Sequence, residues 1–125
     1  MSDTEAIKAS ARSEIRRLAA ECAEPGWNGE AAEPTSKESV AVACAFIDAL
    51  PAHVPLPEFA PEPDGSISLD WIESRSRVLS LSVGPGRRVP YAWLDGTDRS
   101  HGVADFDDST IPPEIVGLIA RIKGS

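Results

Sequence analysis

The chain has 125 residues, 42% of them hydrophobic and 26% charged, and its 20 acidic residues against 12 Lys and Arg give a net charge of −8. That length suits one domain, 1–125, able to bury a core without metal or disulfide support, and no apolar run approaches the roughly 18 residues of a membrane span. A negative surface repels phosphate backbones, and the only dense basic groups are Arg16-Arg17 and Arg87-Arg88, so the composition argues against nucleic-acid and membrane partners and favours a basic protein partner.

The first predicted element is a helix from Asp3 to about Ala23. Ser2 and Glu5 have capping-box spacing, and Ile7, Ala11, Ile15, Leu18, Ala19 and Cys22 fall on one face. Charges interrupt the apolar positions of the first 17 residues, so they do not form a secretory segment. The expected compartment is therefore the cytoplasm, with Cys22 and Cys44 reduced and acting as small core hydrophobes. Pro25 and Gly26 break the helix, and EPGWNGEAAEP (24–34) stays irregular. A second capping box, Thr35 to Glu38, predicts a helix to about Leu50 whose stripe holds Val40, Ala43, Cys44 and Ile47; Pro51 stops it.

Five prolines between Pro51 and Pro63 surround Phe59-Ala60, so any strand there is short or at an edge. A period of two then begins: Ile67, Leu69 and Trp71 point one way, Ser66, Ser68 and Asp70 the other. Pro63-Asp64-Gly65 precedes it as a turn, with Gly65 supplying a positive φ. Leu79, Leu81 and Val83, and then Val89, Tyr91 and Trp93, repeat the alternation across short polar connections, which predicts antiparallel hairpins. A weaker fourth strand is expected at His101–Phe106. The last helix runs from Pro113 to about Lys123 on Ile115, Leu118, Ile119 and Ile122, with Arg121 and Lys123 at its negative end. The predicted fold is α+β: two N-terminal helices, a three- to four-stranded antiparallel meander and a C-terminal helix packed on one sheet face. The serine-rich face is left for solvent or a partner.

No catalytic set converges in this pattern. His53 lies among prolines, while His101, near Asp95, Asp98 and Asp105, is the better imidazole but reads more readily as an exposed residue. The two His and two Cys are scattered over different elements, so no metal site and no cofactor is expected. Asp105, Asp107 and Asp108 are expected to cap the last helix, and GPGRR, lying between strands, is a hairpin turn rather than a phosphate loop. Trp27 stands on a glycine-rich loop without apolar periodicity; it is either an interface anchor or a plug that ties the loop down. Trp27, Asp70 and His101 are the candidate partner-binding residues.

GWNGE with Pro34, then PEPDGSISLDW, YAW, SHG and a proline-started last helix form an ordered series. It resembles small bacterial proteins of uncharacterised function that carry GW-x-G, PxPDGxIxLEW and HG signatures. The resemblance spans the chain from Gly26 onward and implies the same α+β domain in a bacterium, without an activity or a set of site residues. The charge, the missing catalytic set and the polar sheet face together predict a non-enzymatic acidic protein-interaction domain, antitoxin-like or immunity-like towards a basic protein partner. One alternative is a small-molecule-binding or enzymatic domain in which His101 acts with Asp95 or Asp105 and Trp27 closes a pocket. Another is a self-associating subunit with an exposed edge strand.

Overall fold

The two-residue alternation that starts at Ile67 runs on through four long strands, and the helical stripes on either side of it supply the cover for one face. The computed structural model describes residues 3–123. In chain order it contains α1 (Asp3–Glu21), α2 (Lys37–Ala49), β1 (Glu58–Pro61), β2 (Ile67–Ser74), β3 (Arg77–Val83), β4 (Arg88–Asp95), β5 (Asp98–Asp105) and α3 (Pro113–Lys123). The five strands form one antiparallel sheet in the order β1-β2-β3-β4-β5. The fold is thus the α+β arrangement expected, with five strands in place of three or four.

Both additional strand segments have local causes. Phe59 pairs with Leu69 and Pro61 with Ile67, so β1 is the short edge strand that the prolines permit. At the other edge, Gly96 adopts φ +66° and Asp95 pairs with Asp98, a two-residue turn that starts β5 at Asp98 rather than His101. Asp98, Arg99 and Ser100 carry no apolar alternation, which hid this part of the strand.

The start of α2 also differs from the sequence expectation. Its N-cap is Ser36, whose Oγ accepts the Ser39 N–H at 3.0 Å and pairs with the Ser39 hydroxyl at 2.7 Å. The Thr35 N–H is already committed to the Cys22 carbonyl at 3.0 Å, so the cap falls one residue later. The proposed Ser2–Glu5 box at α1 involves Ser2, which lies outside the described residues.

Ile67, Leu69, Trp71, Leu79, Leu81 and Val83 are all at most 1% exposed and form the sheet side of the core. Helices α2 and α3 pack on them through β2 and β3, while α1 packs on α2 and β1. Phe46 of α2 meets Phe106 in a tilted pair with centroids 5.1 Å apart, a favourable aromatic geometry. Because α1 lies to the side, its stripe is buried only at Ala11, Ile15 and the following Cys22, and Ile7 is 55% exposed. Lys8 Nζ donates to the Asp48 and Leu50 carbonyls at the end of α2, satisfying acceptors that the helix leaves open. Cys22 and Cys44 are buried free thiols, and burial raises the pKa of both.

The end of α3 is held to the β4–β5 turn by charge. Arg121 lies over the Trp93 ring at 4.3 Å and reaches Asp95 at 2.9 Å and Asp98 at 3.0 Å, while Arg77 also approaches Asp95 at 3.4 Å. The Arg121 hydrogen bond, chiefly, holds the Asp95 carboxyl below the usual range. Asp107 is lowered too, first by the Ser109 N–H and then by the Thr110 N–H. It closes a turn ahead of α3 rather than capping the helix itself. A carboxyl with a lowered folded pKa stabilises the fold fully above its unfolded value of roughly 4 and loses that contribution as pH falls through the folded value. Thermal midpoints measured from pH 6 down to 2 should therefore fall less steeply in Asp95→Asn/Asp107→Asn than in the natural chain. Parallel curves would refute the assignment.

Candidate functional site

The three helices occupy one side of the sheet, so the other side is built only from alternating strand residues. The register gives three transverse rows on that outer face. One runs Glu58, Asp70, Ser80, Ala92, His101 across all five strands; a second runs Ile72, Val78, Leu94, Arg99; a third includes Ala60, Ser68 and Ser82. Two of the sequence candidates, Asp70 and His101, are thereby on one surface. They stand three strands apart, about 14 Å at the usual strand spacing.

Asp70 accepts the Ser68 hydroxyl at 2.7 Å, and Glu62 accepts that of Ser82 at 2.7 Å from the same side. The β1–β2 half of the face is therefore acidic, with Glu58, Glu62 and Asp70. The β4–β5 half carries Arg88, Arg99 and His101, with Asp105 opposite Arg88. A shallow trough of about 570 Å³ lies over β3, β4 and β5, bordered by Val78, Ser80, Ala92, Leu94, Arg99 and His101. Ile72 and Val103, 47% and 46% exposed, are on this face. The His101 side chain makes no hydrogen bond or ion pair among the described residues. Strand alternation puts Asp95 and Asp98 on the opposite, helix-covered side with Arg121. Asp105 shares the His101 face, four residues along β5, a distance of about 13 Å in extended chain. Among the described residues no acid–base pair is assembled around the His101 side chain.

Trp27 is at a different place. Its indole N–H donates to the Glu33 carbonyl at 2.7 Å, and its half-buried ring belongs to the loop rather than to the central core. The same loop is laced to the β1–β2 turn by Glu33 N–H to Pro63 at 2.7 Å and Ser36 N–H to Gly65 at 3.0 Å. Trp27 thus does tie the loop down, while keeping part of its ring in water. Asp64 takes the Ser66 N–H at 2.9 Å and organises the turn. Around this end stand Glu24, Glu30, Glu33 and Asp64, all exposed.

This acidity is concentrated in one part of the chain. Residues 18–74 contain eleven Asp and Glu against the single Lys37, while the segments on either side are close to neutral. The overall charge of −8 conceals that division, and a running count along the sequence would have found it. Among the described residues no group of three or more His, Cys, Asp or Glu is placed to hold a metal ion, and no helix is long and apolar enough to cross a membrane. No family model matches the chain, and no curated protein or solved structure matches it.

Proposed function

We propose that the chain is a non-enzymatic protein-interaction domain that engages a basic protein partner, in the manner of an antitoxin or immunity protein that neutralises its target. The observation that carries this reading is the acidic end formed by the 22–36 loop and the β1–β2 turn. There Glu24, Glu30, Glu33 and Asp64 are exposed on the same loop and turn as the half-buried Trp27, with Lys37 just beyond the loop as the single cation of residues 18–74. Such a field accelerates encounter with a basic surface, and an aromatic ring held by its own N–H bond is ordered before contact, so little entropy is lost on docking. The backbone bonds from Glu33 to Pro63 and from Ser36 to Gly65 anchor the loop that carries three of these carboxylates to the turn that carries the fourth.

The test is affinity capture from extracts of the source organism with the natural chain and with Glu24→Gln/Glu30→Gln/Glu33→Gln/Asp64→Asn. The expected result is a basic protein retained by the first and lost from the second, with retention that declines as salt is raised. Retention of a basic protein indifferent to all four substitutions, or of none at all, would overturn the proposal. Trp27→Ala should weaken the same capture at least tenfold if the ring is an anchor.

A further inference from the structure

We infer that the free edge of β5 pairs with β5 of a second copy of this chain, antiparallel about a twofold axis at Gly102, joining two five-stranded sheets into one. β5 is the sheet edge opposite β1 and its acidic loop, so the inference does not depend on the interaction proposed above. The two edges are not alike. β1 has four residues, follows Pro57 and ends on Pro61, and brevity and proline are common protections of an edge strand. β5 has eight residues, no proline and an unbroken register against β4. Which of its groups are open follows from that ladder. The Phe106 N–H donates to the Arg87 carbonyl at 2.8 Å, so the even-numbered residues of β5 turn their backbone groups to β4. The N–H and C=O of Arg99, His101, Val103 and Asp105 therefore point away from the sheet, and all four side chains are exposed.

A second β5 offers the same odd-numbered row, so only registers that oppose odd residues to odd residues form bonds. Centring the pair on Gly102 sets Arg99 against Asp105 of the second copy and His101 against Val103 of the second copy, each contact repeated by the symmetry. All the outward groups are then matched, giving about eight backbone hydrogen bonds, within the roughly 10 ± 5 of a typical interface. Moving the axis to His101 leaves Asp105 facing the β4–β5 turn, and moving it to Val103 leaves Arg99 facing residues beyond the strand. The Gly102 register is also the one that opposes unlike charges, which favours a cross-strand pair. Among the described residues neither Arg99 nor Asp105 makes an ion pair within the chain. Arg88 stands opposite Asp105 on β4, so the row reads cation, carboxylate, cation across the seam. Val103, 46% exposed, is covered by His101 of the second copy. At the axis the two Gly102 Cα atoms approach to about 4.5 Å. A Cβ on Gly102 would lie 2.7 Å from the Tyr91 Oη, so on the helix side the seam is filled by the Tyr91 rings rather than by β5 side chains. The acidic excess of residues 18–74 lies in the half of the sheet away from β5, so the two copies meet through their near-neutral halves. An interface made of backbone bonds with little apolar area corresponds to a weak dimer, with a Kd on the order of 10–100 μM.

The experiment is sedimentation velocity on the full chain from about 5 to 500 μM, with amide exchange followed by NMR over the same range. The expected result is a monomer–dimer equilibrium in which exchange at Arg99, His101, Val103 and Asp105 slows as concentration rises, while exchange in β1 does not change. Arg99→Asp and Asp105→Arg should each weaken the dimer about tenfold or more, because either reversal sets two like-charge pairs across the seam. The double variant should return to within about threefold of the natural chain. Within one chain these residues are about 20 Å apart, so the rescue reads contact between copies. His101→Pro removes an outward N–H and none of those bonded to β4, and it should abolish the dimer. Circular dichroism checks that each variant is folded; if His101→Pro is not, the charge swap decides alone. A monomer at every concentration overturns the proposal and leaves the edge to a strand of another protein. A dimer indifferent to both charge reversals overturns it as well, and so does a double variant as weak as the single ones.

Discussion

Trp71→Ala is expected to lower the free energy of unfolding by about 3–5 kcal/mol, the range for deleting a buried large aromatic side chain. Domains of this size hold only ~5–15 kcal/mol in total, so the variant should sit at the edge of folding. Trp71 is 1% exposed, belongs to the inner face of β2, and donates its indole N–H to the Pro55 carbonyl at 2.8 Å. That bond fixes the proline-rich 51–57 segment, which brings β1 to the sheet edge. Trp71→Phe separates the two contributions: most of the packing stays, the Pro55 acceptor loses its donor, and a cost of about 1–3 kcal/mol is expected. Urea denaturation with an unchanged slope checks both. A loss below ~1 kcal/mol for Trp71→Ala would show that the core does not rest on this ring.

Gly65→Ala is the second substitution with a large expected effect, about 1–3 kcal/mol. Gly65 has φ +90°, and a Cβ there would lie 3.0 Å from the Pro34 carbonyl oxygen. Backbone on both sides leaves no flexible side chain to yield. The Gly65 carbonyl also accepts the Ser36 N–H, so the strain reaches the loop that carries Trp27 and the N-cap of α2. Gly86→Ala is the reference, since Gly86 has φ +106° but open space around the added carbon. Gly65→Ala should destabilise more than Gly86→Ala and should speed amide exchange at Glu33 and Ser36. Equal losses at the two glycines would mean that the close approach to Pro34 contributes nothing.

The strands and the last helix were legible because their residues obey one period. Ile67, Leu69 and Trp71 could be placed inward from alternation alone, and all three are buried. Gly65 was recognisable as a left-handed turn residue because Pro63 and Asp64 precede it. Other features depend on contacts between distant segments. Thr35 looked like the cap until the Cys22 carbonyl took its N–H, and Ile7 looked buried until α1 came to rest beside α2 instead of across the sheet. For the candidate sites, alternation put Asp70 on the polar face. Strand register, which depends on the Gly96 turn, was needed to put His101 in the same row. The partial exposure of Trp27 follows from the Pro63 and Gly65 bonds that no local pattern announces.

The strictly sequential strand order has a kinetic consequence. Every ladder joins a strand to its immediate neighbour in the chain, so each pairing closes only a short loop, and hairpins of this kind form in about 1–10 μs. The sheet can therefore grow one hairpin at a time from β2 outward, at low contact order for a structure so rich in strands. Its inner face remains open until α2 and α3 arrive from opposite ends of the sequence, and Phe46 meets Phe106 only then. The slowest step expected in refolding is this docking of helices onto a preformed meander, and core substitutions in α3 such as Ile119→Val should speed unfolding more than they slow folding.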